Sequence, residues 1–131
     1  MKLYRVMKVG ADGKPVVGTR RNMLGVRPTD PASTDPKRVP DVRAVNDPDI
    51  VSVTEGLSTS PTTEKLLPNP KEAIFVIETE ELPPGLREYQ DTSTHYLIVP
   101  SDRNGIPLAG FQQALADTID LWEPIEEGSE P

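Results

Sequence analysis

The stretch Ala73-Ile74-Phe75-Val76-Ile77-Glu78 predicts a central buried strand, because an unbroken run of β-branched and aromatic residues is typical of one. A second run of the same character follows at Thr94-His95-Tyr96-Leu97-Ile98-Val99-Pro100. Between them, Pro83-Pro84-Gly85 predicts a turn, since neither a helix nor a central strand can continue across two prolines. The sequence therefore predicts two strong strands separated by a turn.

Shorter β segments lie outside these two runs. In the first of them, Leu3, Arg5 and Met7 fall on one face by the two-residue period of a strand. The residues Ala11-Asp12-Gly13-Lys14 and Ser101–Gly105 have the composition of turns. The further elements predicted are strands at Lys2–Val9 and Ile50–Thr54, and one helical turn at Thr62–Leu67. A short strand within Val16–Val26 is also predicted, although Gly18 and Gly25 weaken its pattern.

The C-terminal part of the chain predicts a helix. Pro107 suits the first helical position, and an apolar stripe follows at helical spacing. This stripe consists of Leu108, Phe111, Leu115, Ile119 and Trp122. We therefore expect an α+β fold in which residues 1–122 form a single domain and residues 123–131 an acidic C-terminal tail.

The composition limits the class of protein. Fifteen of 131 residues are proline, five of them in Pro28–Pro48, which predicts a long loop over the surface near the site. Without cysteine, neither disulfides nor a thiolate metal site can hold the fold. No apolar run reaches the roughly 20 residues of a membrane helix, and no cleaved signal is evident. We expect a soluble, cytoplasmic protein, with export into a target cell by a route that uses no cleaved signal left open.

Charge is distributed unevenly along the chain. Residues 1–45 carry a formal charge of +6 and residues 46–131 carry −13, which gives the net −7. This asymmetry indicates either attraction between the two parts or a basic site for an anion. General nucleic-acid binding is disfavoured, because the basic residues are scattered and few aromatic residues accompany them.

Three consecutive hydroxyl residues, Ser58-Thr59-Ser60, follow Gly56 at a predicted strand end. Such a strand edge is typical of NAD-cleaving ADP-ribosyltransferase sites, although three hydroxyls before a proline also suit a plain turn. Arg5, on an inward strand face, needs an anionic partner, either a phosphate or a carboxylate such as Glu78, unless it reaches solvent at a sheet edge.

The remaining candidates are one histidine and two carboxylates. His95 is the only histidine, so a multi-histidine metal site is excluded and we expect no metal. His95 either contacts a ribose hydroxyl or is a hydrogen-bonded core residue. Glu78 and Glu80 project to one side of a strand end, where a carboxylate could bind a ribose 2′-hydroxyl and stabilise an oxocarbenium-like transition state. The alternative for both is a solvated acidic strand end.

In four blocks, the chain resembles the ADP-ribosyltransferase-like toxin family of the second exported type VI secretion effector. The blocks are Leu3-Tyr4-Arg5, Pro48–Val51 with Gly56-Leu57-Ser58-Thr59, Leu82–Leu86 with Asp91 and Thr94–Pro100, and Pro107-Leu108. Together they cover about half of the chain.

The resemblance implies a small split β-sheet around an NAD-sized cleft, with a C-terminal helix. It also implies a toxin that uses NAD as a substrate, either as an ADP-ribosyltransferase or as an NAD glycohydrolase. The expected partners are NAD, a cognate immunity protein and an unknown target macromolecule, with no membrane partner.

On this basis we expect Arg5 and Ser58-Thr59-Ser60 to hold NAD, and His95, with Tyr96 beside it, to bind the ribose side. The catalytic set would comprise Arg5, Ser58, Thr59, His95, Glu78 and Glu80. The alternative function is a non-catalytic interaction protein on the same fold that acts by partner binding. The two differ in whether these residues line one cleft together with a carboxylate.

Overall fold

A computed structural model describes residues 1–36 and 39–125. In these residues the fold is α+β, with three small antiparallel sheets and one bent C-terminal helix. The strands are β1 (Lys2–Lys8), β2 (Ile50–Val51), β3 (Leu57–Thr59), β4 (Glu72–Glu78), β5 (Leu86–Thr92), β6 (His95–Pro100), β7 (Ile106–Pro107) and β8 (Glu123–Pro124). Helix α1 (Leu108–Ala116) continues through a turn into a 3-10 segment at Ile119–Leu121, and another 3-10 turn lies at Thr79–Glu81.

The first sheet has the strand order β1-β4-β8, and its central strand β4 contains the apolar stretch from Ala73 to Glu78. β1 and β4 pair over their full length, with Arg5 opposite Phe75. Leu3 and Met7 are fully buried on the face that also carries Arg5. The alternation predicted for the first strand is therefore confirmed, and it turns a charged side chain inward.

The second large sheet, β3-β6-β5, carries the hydroxyl residues. β3 pairs with β6 so that Ser58 lies opposite Leu97 and Thr59 opposite Tyr96. Gly56, just before β3, allows this close approach, because a Cβ atom there would overlap the carbonyl oxygen of Ile98. A two-stranded sheet of β2 and β7 completes the β structure of the described residues.

The core lies between the sheets and the helix. Three residues of the predicted helical stripe, Leu108, Phe111 and Leu115, are buried in α1, and Trp122 is buried beyond it. The helix bends after Ala116, where Thr118 is buried; it donates a hydrogen bond to the Leu115 carbonyl and accepts one from the Trp122 indole. The other buried apolar residues of the core are Leu3, Met7, Leu24, Val26, Val42, Ala44, Val51, Leu57, Phe75, Ile77, Leu86 and Ile98.

Several local predictions are wrong. Val16–Val26 contains one isolated bridge, between Val17 and Leu24, and no strand, because the chain bends at Gly18 and Gly25. Ile50–Thr54 ends as a strand at Val51, and Thr62–Leu67 contains a single hydrogen-bonded turn instead of a helical one. Leu86–Thr92 is a strand that the sequence analysis did not predict, since it is polar and exposed along most of its length.

The C-terminal boundary also differs in detail. Pro107 ends β7 and precedes the helix instead of opening it. Glu123 and Pro124, the first residues of the predicted acidic tail, pair with β4 as β8. The rest of the predicted tail, from residue 126 onward, lies outside the described residues.

The long loop predicted at Pro28–Pro48 contains no helix or strand in its described part. It is nevertheless anchored, because Val42 and Ala44 enter the core instead of lying on the surface. Arg27, just before the loop, forms a bidentate pair with Asp41 inside it, with two N–O distances of 3.1 Å. The loop is thus fixed by ion pairs, by hydrogen bonds such as that from the Thr29 hydroxyl to the Val42 carbonyl, and by two buried apolar side chains. None of the described helices is long and apolar enough to cross a membrane.

Candidate functional site

A cleft of about 380 Å³ opens where β1 and β3 meet. The two strands are joined there by a pair of 2.8 Å hydrogen bonds between the backbones of Tyr4 and Ser60. Residues far apart in the sequence line this cleft, including Arg5, Ser58, Thr59, Ser60 and His95. The structure therefore brings together five of the predicted site residues.

Arg5 forms the floor of the cleft, and its guanidinium is buried. Its two terminal nitrogens each donate a 3.0 Å hydrogen bond to a backbone carbonyl, one of Ser58 and one of Met23. Its Nε has no hydrogen-bond partner in the described part of the chain. Among the described residues, Arg5 is thus paired with no carboxylate: it connects β1 to β3 and to the segment around Met23.

Burial lowers the pKa of Arg5 to about 10, despite the opposing attraction of Asp41 and with a further lowering by Arg27. The side chain remains a cation at neutral pH. A buried positive charge with unused N–H donors favours an anion in the cleft.

The three hydroxyl residues have different environments. Thr59 is buried, and its hydroxyl donates a 3.0 Å hydrogen bond to the carbonyl of Tyr96. Ser58 and Ser60 are partly exposed along the cleft. Tyr96 is partly buried against the core and does not line the cleft. The serines are therefore available to a ligand, whereas Thr59 holds β3 against β6.

His95 lines the cleft from the start of β6, and Asp91, near the end of β5, holds its ring. The two carboxylate oxygens lie 2.7 and 2.9 Å from Nδ1. Thus His95 is a polar residue in the cleft wall and not a core residue. A hairpin interpretation of Leu86–Val99 would have placed Asp91 beside His95, but the sequence analysis missed this strand.

Glu78 and Glu80 do not line this cleft. Both lie beside the ammonium group of Met1, at N–O distances of 2.8 Å. Hydrogen bonds with Glu78 and with this ammonium lower the pKa of Glu80 to about 2. Glu78 instead lines a second cavity, of about 260 Å³, with the acidic residues Glu81, Asp120 and Glu123. The predicted carboxylates are therefore not brought to the other site residues.

Two cations of the cleft were not predicted. Arg21 and Lys65 line its rim from irregular segments that give no periodic signal in the sequence. Together with Arg5 they make three cations, and the described lining contains no carboxylate. In a chain with a net charge of −7, this is a local excess of positive charge.

Glu72 organises one wall of the cleft from behind. It accepts a 2.7 Å hydrogen bond from the Asn22 amide and a 2.9 Å hydrogen bond from the backbone N–H of Asn69, and both asparagines line the cleft. Burial acts to raise the pKa of Glu72. These hydrogen bonds and the positive charges of Arg21 and Lys8 act in the opposite direction and outweigh burial, so the pKa lies below its usual range. Asn22 has a φ of 60°, a left-handed conformation that asparagine tolerates better than most residues.

The arrangement suits a phosphate-bearing ligand. Arginine, lysine and serine donors bind phosphate oxygens. Leu67, next to Lys65 and Leu66 on the rim, is 84% exposed and offers an apolar surface. A volume of about 380 Å³ lies within the range of small-molecule sites. In the described residues, no cluster of acidic, histidine or cysteine side chains could hold a metal ion.

Comparisons with protein-family models, with curated proteins and with solved structures find no significant match to this chain. The function is therefore argued from the geometry of the cleft and from the four blocks of sequence resemblance.

Proposed function

We propose that the cleft binds NAD and that the protein is a toxin related to ADP-ribosyltransferases, which transfers ADP-ribose to a target macromolecule or hydrolyses NAD. The observation that carries the proposal is the convergence of Arg5, Ser58, Ser60 and His95, from three separate parts of the sequence, on one cleft. The small split-sheet architecture typical of such transferases is part of the proposal, as is a cognate immunity protein that covers the cleft.

The residues that line the cleft would each contact a different part of the NAD molecule. Arg21 and Lys65 at the rim bind the pyrophosphate, because they are exposed cations with no acidic neighbour in the lining. Ser58 and Ser60 donate hydrogen bonds to the sugar or amide, and His95 contacts the ribose. Leu67 packs against a planar base. Arg5 supplies positive potential from the floor while it holds the strands together.

Calorimetric titration with NAD tests the binding step. We expect wild-type protein to bind, and Arg21→Met or Lys65→Met each to weaken the affinity about tenfold, equivalent to about 1.4 kcal/mol. Arg103→Met is the matched control, because Arg103 is exposed in the turn after β6 and does not line the cleft. Protein that neither binds NAD nor releases nicotinamide, with candidate targets present, would contradict the proposal.

Toxicity in cells tests the site. Expression of wild-type protein should arrest growth, and Ser58→Ala should relieve the arrest, because Ser58 is available to a ligand. Ser52→Ala, outside the cleft, serves as the control. Equal toxicity of Ser58→Ala and the wild type at equal protein level would show that the cleft does not cause the effect.

A second candidate function is a non-catalytic interaction protein that acts by binding a partner. One observation favours it: the carboxylates Glu78 and Glu80 lie away from the cleft. Measurement of nicotinamide release distinguishes the two functions, because an interaction protein would remain toxic without consuming NAD.

A further inference from the structure

The pairing of His95 with Asp91 points to a chemical role in the cleft. Asp91 lies at an irregularity of the β5–β6 hairpin, where Gln90 pairs with Tyr96 and Thr92 pairs with His95, so that Asp91 has no backbone partner on the opposite strand. Such a bulge changes the direction of a side chain. Here both carboxylate oxygens of Asp91 lie within 2.9 Å of the Nδ1 atom of His95.

This contact determines which ring nitrogen carries the proton. A carboxylate accepts hydrogen bonds, so Nδ1 is the protonated nitrogen of the neutral ring and Nε2 keeps its lone pair. Within the described residues, no hydrogen bond to Nε2 is found, and the ring lines the cleft. Among these residues, Nε2 is thus an unoccupied proton acceptor on a ring that lines the cleft.

We propose that His95 is the general base of the cleft, that Asp91 is its positioning residue, and that the ADP-ribose acceptor is a neutral hydroxyl group. This inference rests on the proposed function. In the step, the bond between the ribose C1′ and nicotinamide breaks, and its electron pair neutralises the pyridinium nitrogen. The acceptor oxygen forms the new bond to C1′, and its proton passes to Nε2 of His95.

The charge of the cleft selects this acceptor class. Arg5, Arg21 and Lys65 repel a protonated amine or a guanidinium. A carboxylate acceptor has no proton to lose and would not need a base. A water molecule or an alcohol is neutral and becomes a better nucleophile when its proton is removed.

The experiment measures nicotinamide release from NAD by the full chain, with methanol added as a probe hydroxyl acceptor and agmatine as a probe guanidinium acceptor. We expect ADP-ribose and its methyl glycoside to form in proportion to water and methanol, and no agmatine adduct. His95→Ala should lower the rate about 100-fold or more, and imidazole in solution should restore part of it. Asp91→Asn should also lower the rate, whereas Glu88→Gln, exposed on the same strand, should not.

NAD binding and the urea midpoint are measured for every variant. A failure of the base assignment can therefore be distinguished from a failure of the proposed function. NAD binding with release unchanged in His95→Ala would overturn the base assignment alone. A loss of rate that imidazole does not restore would do the same. NAD that binds without any nicotinamide release would overturn both the base assignment and the enzymatic part of the proposed function, and would favour the non-catalytic interaction protein. An agmatine adduct would overturn the acceptor class. Absence of NAD binding by the wild type would overturn the proposed function, and this inference with it.

Discussion

Arg5 shows how one residue can serve both the fold and the site. Its guanidinium connects β1 to β3 through the Ser58 carbonyl and to a loop through the Met23 carbonyl. Because the cleft opens where these segments meet, a change at Arg5 affects the shape of the cleft as well as its charge. Loss of function in an Arg5 variant is therefore weak evidence for direct ligand contact.

We expect Arg5→Met to lower the free energy of unfolding by about 2–4 kcal/mol, because two carbonyl groups lose hydrogen bonds to a charged donor. Urea denaturation measures the effect. Arg5→Lys should recover little of it, since one ammonium cannot span both carbonyls. Arg21→Met is the matched control and should leave stability within about 0.5 kcal/mol of the wild type, because Arg21 is exposed.

Thr59 and Ser58 should also differ in effect, because Thr59 supports the fold whereas Ser58 is available to a ligand. Thr59→Val keeps the side-chain volume but removes the hydrogen bond to Tyr96, so we expect it to cost about 1 kcal/mol of stability. Ser58→Ala should leave the urea midpoint unchanged and weaken NAD binding. If Thr59→Val affected binding more strongly than Ser58→Ala, the assignment of the two side chains would have to be reversed.

At the scale of elements, the site depends on how closely β3 approaches β6. Gly56 permits that approach, because any side chain there would meet the backbone of Ile98 and Val99. The hydroxyl strand is short, Leu57–Thr59, and therefore relies on its neighbours for position. The glycine before the hydroxyl residues is thus a requirement of strand packing.

Gly56→Ala should lower stability by about 1–3 kcal/mol, because backbone atoms must move to make room, and it should weaken NAD binding by shifting β3. Gly110→Ala is the control. It lies in α1 with no atom within 4 Å of the added methyl group, so we expect a gain of about 0.5–1 kcal/mol. Thermal denaturation compares the two, and equal midpoints would contradict the packing argument.

At the scale of the whole molecule, the uneven charge of the chain has two outcomes. Ion pairs join the basic and acidic parts, as between Lys14 and Asp120 and between Arg43 and Glu55. Arg5 and Arg21, also from the basic part, instead line the cleft. Among the described residues, the basic part of the chain therefore both pairs with the acidic part and supplies two of the three cations that line the cleft.

Three carboxyl groups with lowered pKa values predict how the free energy of unfolding depends on pH. The pKa of Glu72 is lowered by the hydrogen bonds described above, that of Asp49 by hydrogen bonds from the backbones of Val45 and Asn46, and that of Glu80, to about 2, by Glu78 and the Met1 ammonium. A lowered carboxyl pKa in the folded state means that the unfolded state binds protons first as pH falls.

These carboxylates therefore contribute their full stabilisation above their ordinary values of 3.8 and 4.5, and lose it as pH falls toward 2. Urea unfolding measured from pH 6 down to pH 2.5 should show this decline. Glu72→Gln should make the decline shallower, while Glu88→Gln, whose side chain is exposed, should leave its slope unchanged.

Local patterns in the amino-acid sequence were enough to predict the strong strands, the helix and five residues of the cleft. Strand β1 and helix α1 follow from apolar periodicity, and strands β4 and β6 follow from unbroken apolar runs; both patterns are local properties of the chain. The sequence also singled out Arg5 and Ser58-Thr59-Ser60, because an inward arginine and a run of hydroxyls are unusual in strands. Their meeting in one cleft required only that β1 and β3 be neighbours.

The other features of the cleft depend on long-range packing and have no local signal in the sequence. The polar strand β5 has no apolar period, so its pairing with β6 and the contact of Asp91 with His95 are visible only in three dimensions. Arg21 and Lys65 lie in irregular segments whose positions depend on long-range contacts. Glu78 and Glu80 had suitable chemistry but lie away from the cleft, because residue type is encoded locally whereas proximity depends on the packing of the whole chain.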